Sequence, residues 1–256
     1  IIWIDNPPVN AISHAVREGL IKAVGNASKD SEIKGLVLAC RGRTFMAGAD
    51  ITEFASGVKP PWLGEVIDTM SESSKVIVAA IFGTTFGGGL EVALGCNYRI
   101  ADSNTKIGLP EVKLGIIPGA QGTQRLSRVS SVEFALKLAT LGNPVGAQEA
   151  LEAGAIDKIS NGELIDDAVS YAEELLKNNA PLKKSHILSI DPKKYNDSFF
   201  NDYRKTISRK TRGMAAPECC IKAIQASVNL PFEEGVKFER EMTIECRAVS
   251  YTHLRA

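Results

Sequence analysis

Two glutamates that each follow a tight turn are the residues of this sequence best suited to catalysis. Glu91 comes directly after the glycine-rich segment Phe86-Gly87-Gly88-Gly89-Leu90, and Glu111 follows Pro110 twenty positions later. Two neighbouring carboxylates do not both ionise freely, so one of them holds a proton near neutral pH and the pair can divide the roles of base and acid. The sequence therefore predicts acid–base chemistry if the fold brings both glutamates to one site.

The glycines before Glu91 predict a place where backbone amides stabilise negative charge. The apolar run 76–82 is typical of a buried strand, and Leu90, Ala93 and Leu94 have the spacing of a short helix. A helix that begins at the glycines has N–H groups without intrahelical acceptors at its start, and such groups bind anions. We expect Glu91 in its first turn, although the glycines could also serve only the turn itself.

Alternating strand and helix patterns indicate an α/β fold with crossover connections. Predicted strands lie at 1–4, 35–40, 76–82 and 155–157, and predicted helices at 13–28, 62–74, 132–141, 147–153 and 163–178. Prolines and paired lysines follow residue 180, after which helices are predicted at 195–211, 217–230 and 232–246. We therefore predict a core over residues 1–180 and a helical extension over residues 181–256.

Charge and hydropathy exclude several functional classes. Thirty basic residues balance thirty acidic ones, so no whole-chain field favours nucleic acid, and the excess of basic residues between 183 and 222 is best interpreted as a solvated helix face. The apolar runs are too short to span a bilayer. Five cysteines without paired spacing favour free thiols in a reducing compartment. Neither a metal-ligand pattern nor a dinucleotide fingerprint is present, so we expect no metal and no NAD binding.

Three blocks of sequence together resemble the enoyl-CoA hydratase/isomerase (crotonase) family. They lie at residues 45–51, 87–96 and 109–119. The opening Asn6-Pro7-Pro8-Val9-Asn10-Ala11 and the long extension are similar, more narrowly, to the N-terminal part of multifunctional fatty-acid β-oxidation enzymes, in which a dehydrogenase follows. The resemblance implies a crotonase-type spiral of ββα units with a C-terminal helical extension and without the dehydrogenase domain.

The resemblance also implies the reaction, which is reversible hydration of trans-2-enoyl-CoA to 3-hydroxyacyl-CoA. Backbone N–H groups of Ala49 and Gly88 would form an oxyanion hole for the thioester carbonyl. Glu91 and Glu111 would hold one water, with Glu91 as the base that activates it and Glu111 delivering a proton to C2. Gly119 matches a position beside this water, although a simple Pro-Gly turn is an alternative for it.

The remaining site residues bind the substrate, which contains coenzyme A, so no separate cofactor is expected. The resemblance places the CoA moiety against Ala47, Gly48, Asp50 and Ile51, although Asp50 could instead cap the following helix. Candidates for an acyl tunnel are Trp62, Leu63, Val66 and Leu114, with core packing as the alternative for each.

Two alternative functions remain open at this stage. A Δ3,Δ2-enoyl-CoA isomerase needs a single shuttle base, for which Glu111 would suffice. A non-catalytic acyl-CoA-binding or RNA-binding member of the same fold would not need the glutamates. We expect a monomer or a homotrimer that is cytoplasmic in a bacterium or in the peroxisomal matrix of a eukaryote. The sequence begins within a predicted strand, and residues 249–256 lack helical periodicity, so we expect a missing start and an appended or truncated end.

Overall fold

The chain divides into two compact units. The computed structural model describes residues 1–50, 52–53 and 57–253, with side chains as far as residue 246. The first unit comprises residues 1–107 and 145–185, and the second comprises residues 108–144 and the chain from residue 186 onward. The sequence-based boundary at residue 180 stays a prediction.

The first unit contains a parallel sheet and a smaller second sheet. In chain order the strands are β1 (Ile2–Ile4), β2 (Gly35–Cys40), β3 (Val76–Ile81), β4 (Thr84–Phe86), β5 (Tyr98–Ala101), β6 (Lys106–Gly108), β7 (Val145–Gly146) and β8 (Lys158–Ile159). Five of them pair in parallel in the order β1-β2-β3-β5-β8, and the other sheet has the order β4-β6-β7. Parallel neighbours need crossover connections, which confirms the predicted α/β class.

Ten α-helices lie in the described part of the chain. They are α1 (His14–Lys29), α2 (Leu63–Glu72), α3 (Gly88–Gly95), α4 (Gly122–Val129), α5 (Val132–Leu141), α6 (Ala147–Glu152), α7 (Leu164–Lys177), α8 (Asp197–Ile207), α9 (Ala216–Asn229) and α10 (Phe232–His253). The described residues also form three short 3-10 helices, at Pro110–Leu114, Ser185–Ile187 and Pro192–Lys194.

The core of the first unit lies on both faces of its central strands. Strand β3 is buried along its whole length because α7 covers one face, where Val78 and Ala80 pack near Ala168 and Ala172. Side chains alternate between faces in a strand, so a continuous apolar run is required where both faces are covered. This burial fixes the end of β3, from which the chain continues into β4 and α3.

In the second unit, α9 is the central helix. It packs against α4, α5, α8 and α10, and most of its residues between Ala216 and Val228 are buried. Its neighbour α5 is capped by Ser131, whose side chain accepts a hydrogen bond from the N–H of Phe134, and is followed by Gly142 in the left-handed region. The unit is thus a helical cluster around α9.

Two predicted elements differ from the structure. The strand predicted at 155–157 forms instead at β8, because the N–H groups of Ala155 and Ile156 both donate to the carbonyl of Ala150 and close the end of α6. Only from Asp157, whose N–H donates to the carbonyl of Arg99, does the chain join the sheet. The helix predicted at 232–246 extends to His253, so the helical backbone includes residues 249–253.

Candidate active site

The glycine-rich segment forms the turn between β4 and α3, as the sequence predicts. Gly87 has a backbone φ of 52° and ψ of −125°, a conformation that side chains rarely adopt, and α3 begins at the next residue. The N–H of Phe86 donates to the carbonyl of Met46 at 3.2 Å, which holds the turn against the segment 45–50. The turn is therefore fixed on both sides of Gly87.

Gly89 is required because the backbone of the segment 45–50 passes directly over α3. A Cβ atom at this position would lie 2.0 Å from the carbonyl oxygen of Met46, a separation that real atoms do not show. The absence of a side chain at Gly89 is what allows the two pieces of backbone to approach.

Ala49 and Gly88 present adjacent backbone amides at this turn. Ile12 pairs with Ala49 in a parallel bridge, in which the N–H of Ile12 donates to the carbonyl of Gly48 and the N–H of Asp50 donates to the carbonyl of Ile12. The N–H of Ala49 therefore points away from Ile12. A Cβ built on Gly88 would lie 3.4 Å from the nitrogen of Ala49, and as the first residue of α3 Gly88 has no intrahelical acceptor for its N–H.

Glu91 lies in the first turn of α3, where the sequence predicts it. Its side chain is 2% exposed, and its N–H donates to the carbonyl of Gly87 at 3.0 Å. A carboxylate in this turn interacts favourably with the positive end of the helix dipole. The helix thus brings a buried carboxyl group and the amide of Gly88 to one end.

The other end of α3 is held by Arg99, which the sequence analysis did not single out. Its guanidinium, 1% exposed, donates to the carbonyls of Ala93 and Cys96 and forms an ion pair with Asp157 at 3.0 Å. Lys183 pairs with the other carboxylate oxygen of Asp157 at 2.7 Å. An arginine within the apolar strand Tyr98–Ala101 was the available signal, because a buried charge needs a partner.

The segment predicted to contact CoA is held in place by backbone hydrogen bonds to residues 9 and 12. The N–H of Ala47 donates to the carbonyl of Val9, and Gly48 and Asp50 make the bonds to Ile12 described above. The Asp50 carboxylate accepts from the hydroxyl and the N–H of Thr52, and these bonds lower the pKa of Asp50 below its ordinary value. Asp50 thus stabilises a local turn, and Ile51 lies outside the described residues.

The residues predicted for an acyl tunnel differ in exposure. Leu63 begins α2, and its Cδ2 lies 3.0 Å from the position of a Cβ on Gly88, so this side chain borders the glycine turn. Trp62 is 42% exposed, whereas Val66 is fully buried and packs as a core residue. Leu114, in the second unit, is 70% exposed.

Glu111 and Gly119 belong to the second unit. Glu111 lies in the 3-10 helix Pro110–Leu114, against which the end of α5 packs so closely that a Cβ atom on Gly142 would lie 3.2 Å from the Cα of Pro110. Burial raises the pKa of the Cys220 thiol well above its usual value, and the nearby charge of Glu111 raises it further. The loop after this helix carries Gly119, which packs against Thr243 of α10.

The structure therefore brings three of the predicted site residues together within the first unit: Ala49, Gly88 and Glu91. Their catalytic roles, and those of Glu111 and Gly119, stay predictions. Among the described residues, no group of three or more histidine, cysteine, aspartate or glutamate side chains has the arrangement of a metal site. None of the helices in this part of the chain is both long and apolar enough to span a membrane.

The family match, the similar sequences and the similar solved structures all indicate the same family. Residues 1–190 match the enoyl-CoA hydratase/isomerase family. The chain is 42% identical over 247 residues to the peroxisomal bifunctional enzyme of Cavia porcellus, covering 94% of this chain and 34% of that protein. It is 35% identical over 228 residues to a probable enoyl-CoA hydratase of Bacillus subtilis, covering 80% of this chain and 88% of that protein.

A solved structure of enoyl-CoA hydratase subunit I from Geobacillus kaustophilus is similar with a TM-score of 0.60 and 28% identity, covering 96% of this chain and 86% of that one. The chain spans about a third of the length of the peroxisomal bifunctional enzymes that it matches.

Proposed function

Because the chain belongs to the enoyl-CoA hydratase/isomerase family, we propose that it catalyses the reversible hydration of trans-2-enoyl-CoA to 3-hydroxyacyl-CoA. The observation that carries this proposal is the start of α3, where the amides of Ala49 and Gly88 are neighbours and the buried residue Glu91 lies in the first helical turn. Fixed amides and a carboxylate are the two kinds of group that the addition of water to an enoyl thioester requires.

The amides stabilise the charge that develops during the reaction. When water adds to C3, the electrons of the C2–C3 double bond move to the thioester oxygen and form an enolate. Two N–H donors aimed at this oxygen bind the enolate more tightly than the neutral carbonyl, and removing one such donor costs about 3 kcal/mol in comparable sites. We assign this role to the N–H groups of Ala49 and Gly88.

Glu91 is the base in the proposed reaction. Its carboxylate takes a proton from the attacking water, so that the oxygen forms its bond to C3 as hydroxide. Its place in the first turn of α3, the turn that begins with Gly88, supports the assignment.

Glu111 delivers the proton to C2 in this proposal. The assignment rests on its position in the sequence block 109–119, and so does the placement of Gly119 beside the reacting water. After both proton transfers the product carries one added hydrogen at C2 and one hydroxyl at C3, which balances the water consumed. In the reverse direction the two carboxyl groups exchange roles.

We further propose that an acyl-CoA thioester is the substrate and that the chain serves fatty-acid oxidation, in the peroxisomal matrix if its source is a eukaryote. The peroxisomal bifunctional enzymes among its relatives support this placement. The backbone segment of Ala47, Gly48 and Asp50, which lies beside the amide of Ala49, is the proposed contact for the CoA moiety, together with Ile51 outside the described residues.

Isomerase activity is the second candidate, since the family name includes it. Moving a double bond from C3 to C2 requires one base that shuttles a proton, and the same amides would stabilise the enolate. The buried Glu91 favours hydration as the main reaction, because a base for water has no part in a simple proton shuttle.

The test supplies the purified chain with crotonyl-CoA and, separately, with a 3-enoyl-CoA, and follows the absorbance of the conjugated thioester. The hydratase proposal predicts rapid loss of this absorbance with crotonyl-CoA. If absorbance only rises with the 3-enoyl substrate, the chain is an isomerase instead. Binding of either substrate without turnover would contradict both enzymatic proposals and favour a non-catalytic acyl-CoA-binding protein.

A further inference from the structure

One face of α10 holds the loop between the 3-10 helix Pro110–Leu114 and α4. The residues of this face are Glu239, Thr243 and Cys246, which follow one another at intervals of four and three positions, so they lie on the same side of the helix. Each contacts the loop at a different place. Glu239 and Cys246 are buried, and Thr243 is partly buried.

Glu239 makes the strongest of these contacts. One carboxylate oxygen accepts from the N–H of Gln121 at 2.6 Å, and the other accepts from the N–H of Thr123 at 3.0 Å and from the Thr123 hydroxyl. Gln121 precedes α4 in the left-handed region, with φ of 77°, and makes no side-chain cap to the helix. Glu239 therefore caps a helix that lacks a cap from its own sequence.

The other two residues hold the part of the loop that precedes α4. Thr243 packs on Gly119, and a Cβ atom on that glycine would lie 3.1 Å from the threonine hydroxyl oxygen. The Cys246 thiol donates to the carbonyl of Gly115 at 3.1 Å. The three contacts thus follow the loop from residue 115 to residue 123, with Gly119 in the middle.

We propose that Glu239 is a positioning residue for catalysis. It fixes the loop so that the backbone of Gly119 is held beside the reacting water. This inference rests on the proposed hydratase function and goes beyond it, because it gives a residue of the C-terminal helices a part in the reaction rate. Two charge-assisted bonds to the backbone amides of Gln121 and Thr123 leave the loop little freedom.

The contact depends on a carboxylate in particular. Both oxygens of Glu239 accept from backbone N–H groups. A glutamine side chain has only one oxygen, so its NH₂ group, which is a donor, would face the N–H of either Gln121 or Thr123. Glu239→Gln keeps the size of the side chain and removes the acceptor for Gln121 or Thr123. An N–H that loses its acceptor in a buried place shifts to find another, which would displace the loop.

The experiment compares the wild type with Glu239→Gln and Glu239→Asp, using Glu241→Gln as the matched control because Glu241 is exposed on the same helix. Hydration of crotonyl-CoA gives kcat and KM, and hydrogen exchange gives the protection of individual amides. For Glu239→Gln we expect kcat to fall roughly tenfold or more with KM changed less than about threefold, since the displaced group acts on water rather than on substrate binding.

Exchange at the amides of Gln121 and Thr123 should accelerate by about the same factor in Glu239→Gln, while amides of β3 keep their protection. Glu239→Asp, which keeps the charge on a shorter side chain, should lie between the wild type and Glu239→Gln in kcat. Glu241→Gln should match the wild type in every measurement.

A kcat for Glu239→Gln within twofold of the wild type, alongside faster exchange of the two amides, would overturn the proposal and leave Glu239 as a helix cap only. Unchanged exchange would show that Glu239 does not hold the loop. A wild type without hydratase activity would refute the proposed function instead, and the exchange of Gln121 and Thr123 would still decide whether Glu239 fixes the loop.

Discussion

At the residue scale, the adjacent glycines at the start of α3 are constrained by different neighbours. Gly89 faces the carbonyl oxygen of Met46, which is fixed backbone, whereas Gly88 faces the end of the Leu63 side chain and the nitrogen of Ala49. A methyl group at Gly89 has no space, while one at Gly88 needs only a small movement of a flexible side chain. We therefore expect a substitution at Gly89 to affect folding and one at Gly88 to affect the proposed reaction.

Gly89→Ala should destabilise the protein severely, because its Cβ would lie 2.0 Å from the Met46 oxygen. We expect a loss of more than about 3 kcal/mol in the free energy of unfolding, measured by urea denaturation. Gly19→Ala is the control, since that glycine of α1 has open space around it and alanine favours helix by about 1 kcal/mol. Equal stability of the two variants would refute the close approach at Gly89.

Gly88→Ala should fold and lose activity. The added methyl group lies 3.0 Å from the Leu63 Cδ2, which can move, and 3.4 Å from the nitrogen of Ala49, where it would crowd the proposed oxyanion hole. We expect kcat/KM for crotonyl-CoA to fall about 100-fold, comparable to the loss of one oxyanion donor. Unimpaired hydration by a correctly folded Gly88→Ala variant would contradict the assignment of the oxyanion hole to Gly88.

At the element scale, helix α3 is fixed at both ends by different devices. Its start depends on Gly87 and on the segment 45–50, and its end depends on the Arg99 guanidinium, which bonds to Ala93 and Cys96 and pairs with Asp157. A cation at the carboxyl end complements the helix dipole, as does Glu91 at the amino end. The helix that carries the proposed base is thereby held rigidly.

Arg99→Met should cost about 3 kcal/mol of unfolding free energy, because removing one partner of a buried ion pair leaves carbonyl acceptors unmet and leaves Asp157 with only Lys183 and the backbone N–H of residue 99 as partners. Lys205→Met provides the control, since its pair with Asp202 is exposed and such pairs contribute at most about 1 kcal/mol. Similar urea midpoints for both variants would show that Arg99 has no special role.

The elements that sequence predicted best were those with a strong periodic or continuous apolar pattern. Strands β2 and β3 and helix α5 lie where their patterns place them. Strand β5 was missed because Arg99 interrupts its apolar run, and α4 was missed because its cap comes from Glu239, distant in sequence. The sequence around α4 does not contain this distant contact, whereas for β5 the arginine within an apolar run was the one local signal.

At the scale of the whole molecule, the sequence blocks assign Ala49, Gly88 and Glu91 to one site, and the structure shows Ala49 and Gly88 as neighbours, while their catalytic roles stay predictions. The ion pair of Arg99 with Asp157 and the contacts of Glu239 were not predictable, since they join residues far apart in the chain. The crotonase-type fold implied by the resemblance is confirmed by the similarity to the solved hydratase structure.

The oligomeric state, predicted above as a monomer or a homotrimer, is a property of the whole molecule that gel filtration tests. The inner face of α10, including Met242 and Cys246, is already buried by residues of the same chain. A monomer would elute in gel filtration at about the chain mass of 27.5 kDa. Elution near three times that mass would instead indicate a homotrimer.

The most direct test of the account is the hydration rate of Glu91→Gln with crotonyl-CoA. Glu72→Gln is the matched control, because Glu72 is an exposed glutamate at the end of α2 in the same unit. If Glu91 is the base that activates water, kcat should fall by about 10³-fold in Glu91→Gln with the fold intact, and it should be unchanged in Glu72→Gln. A kcat for Glu91→Gln within tenfold of the wild type would contradict the proposed mechanism.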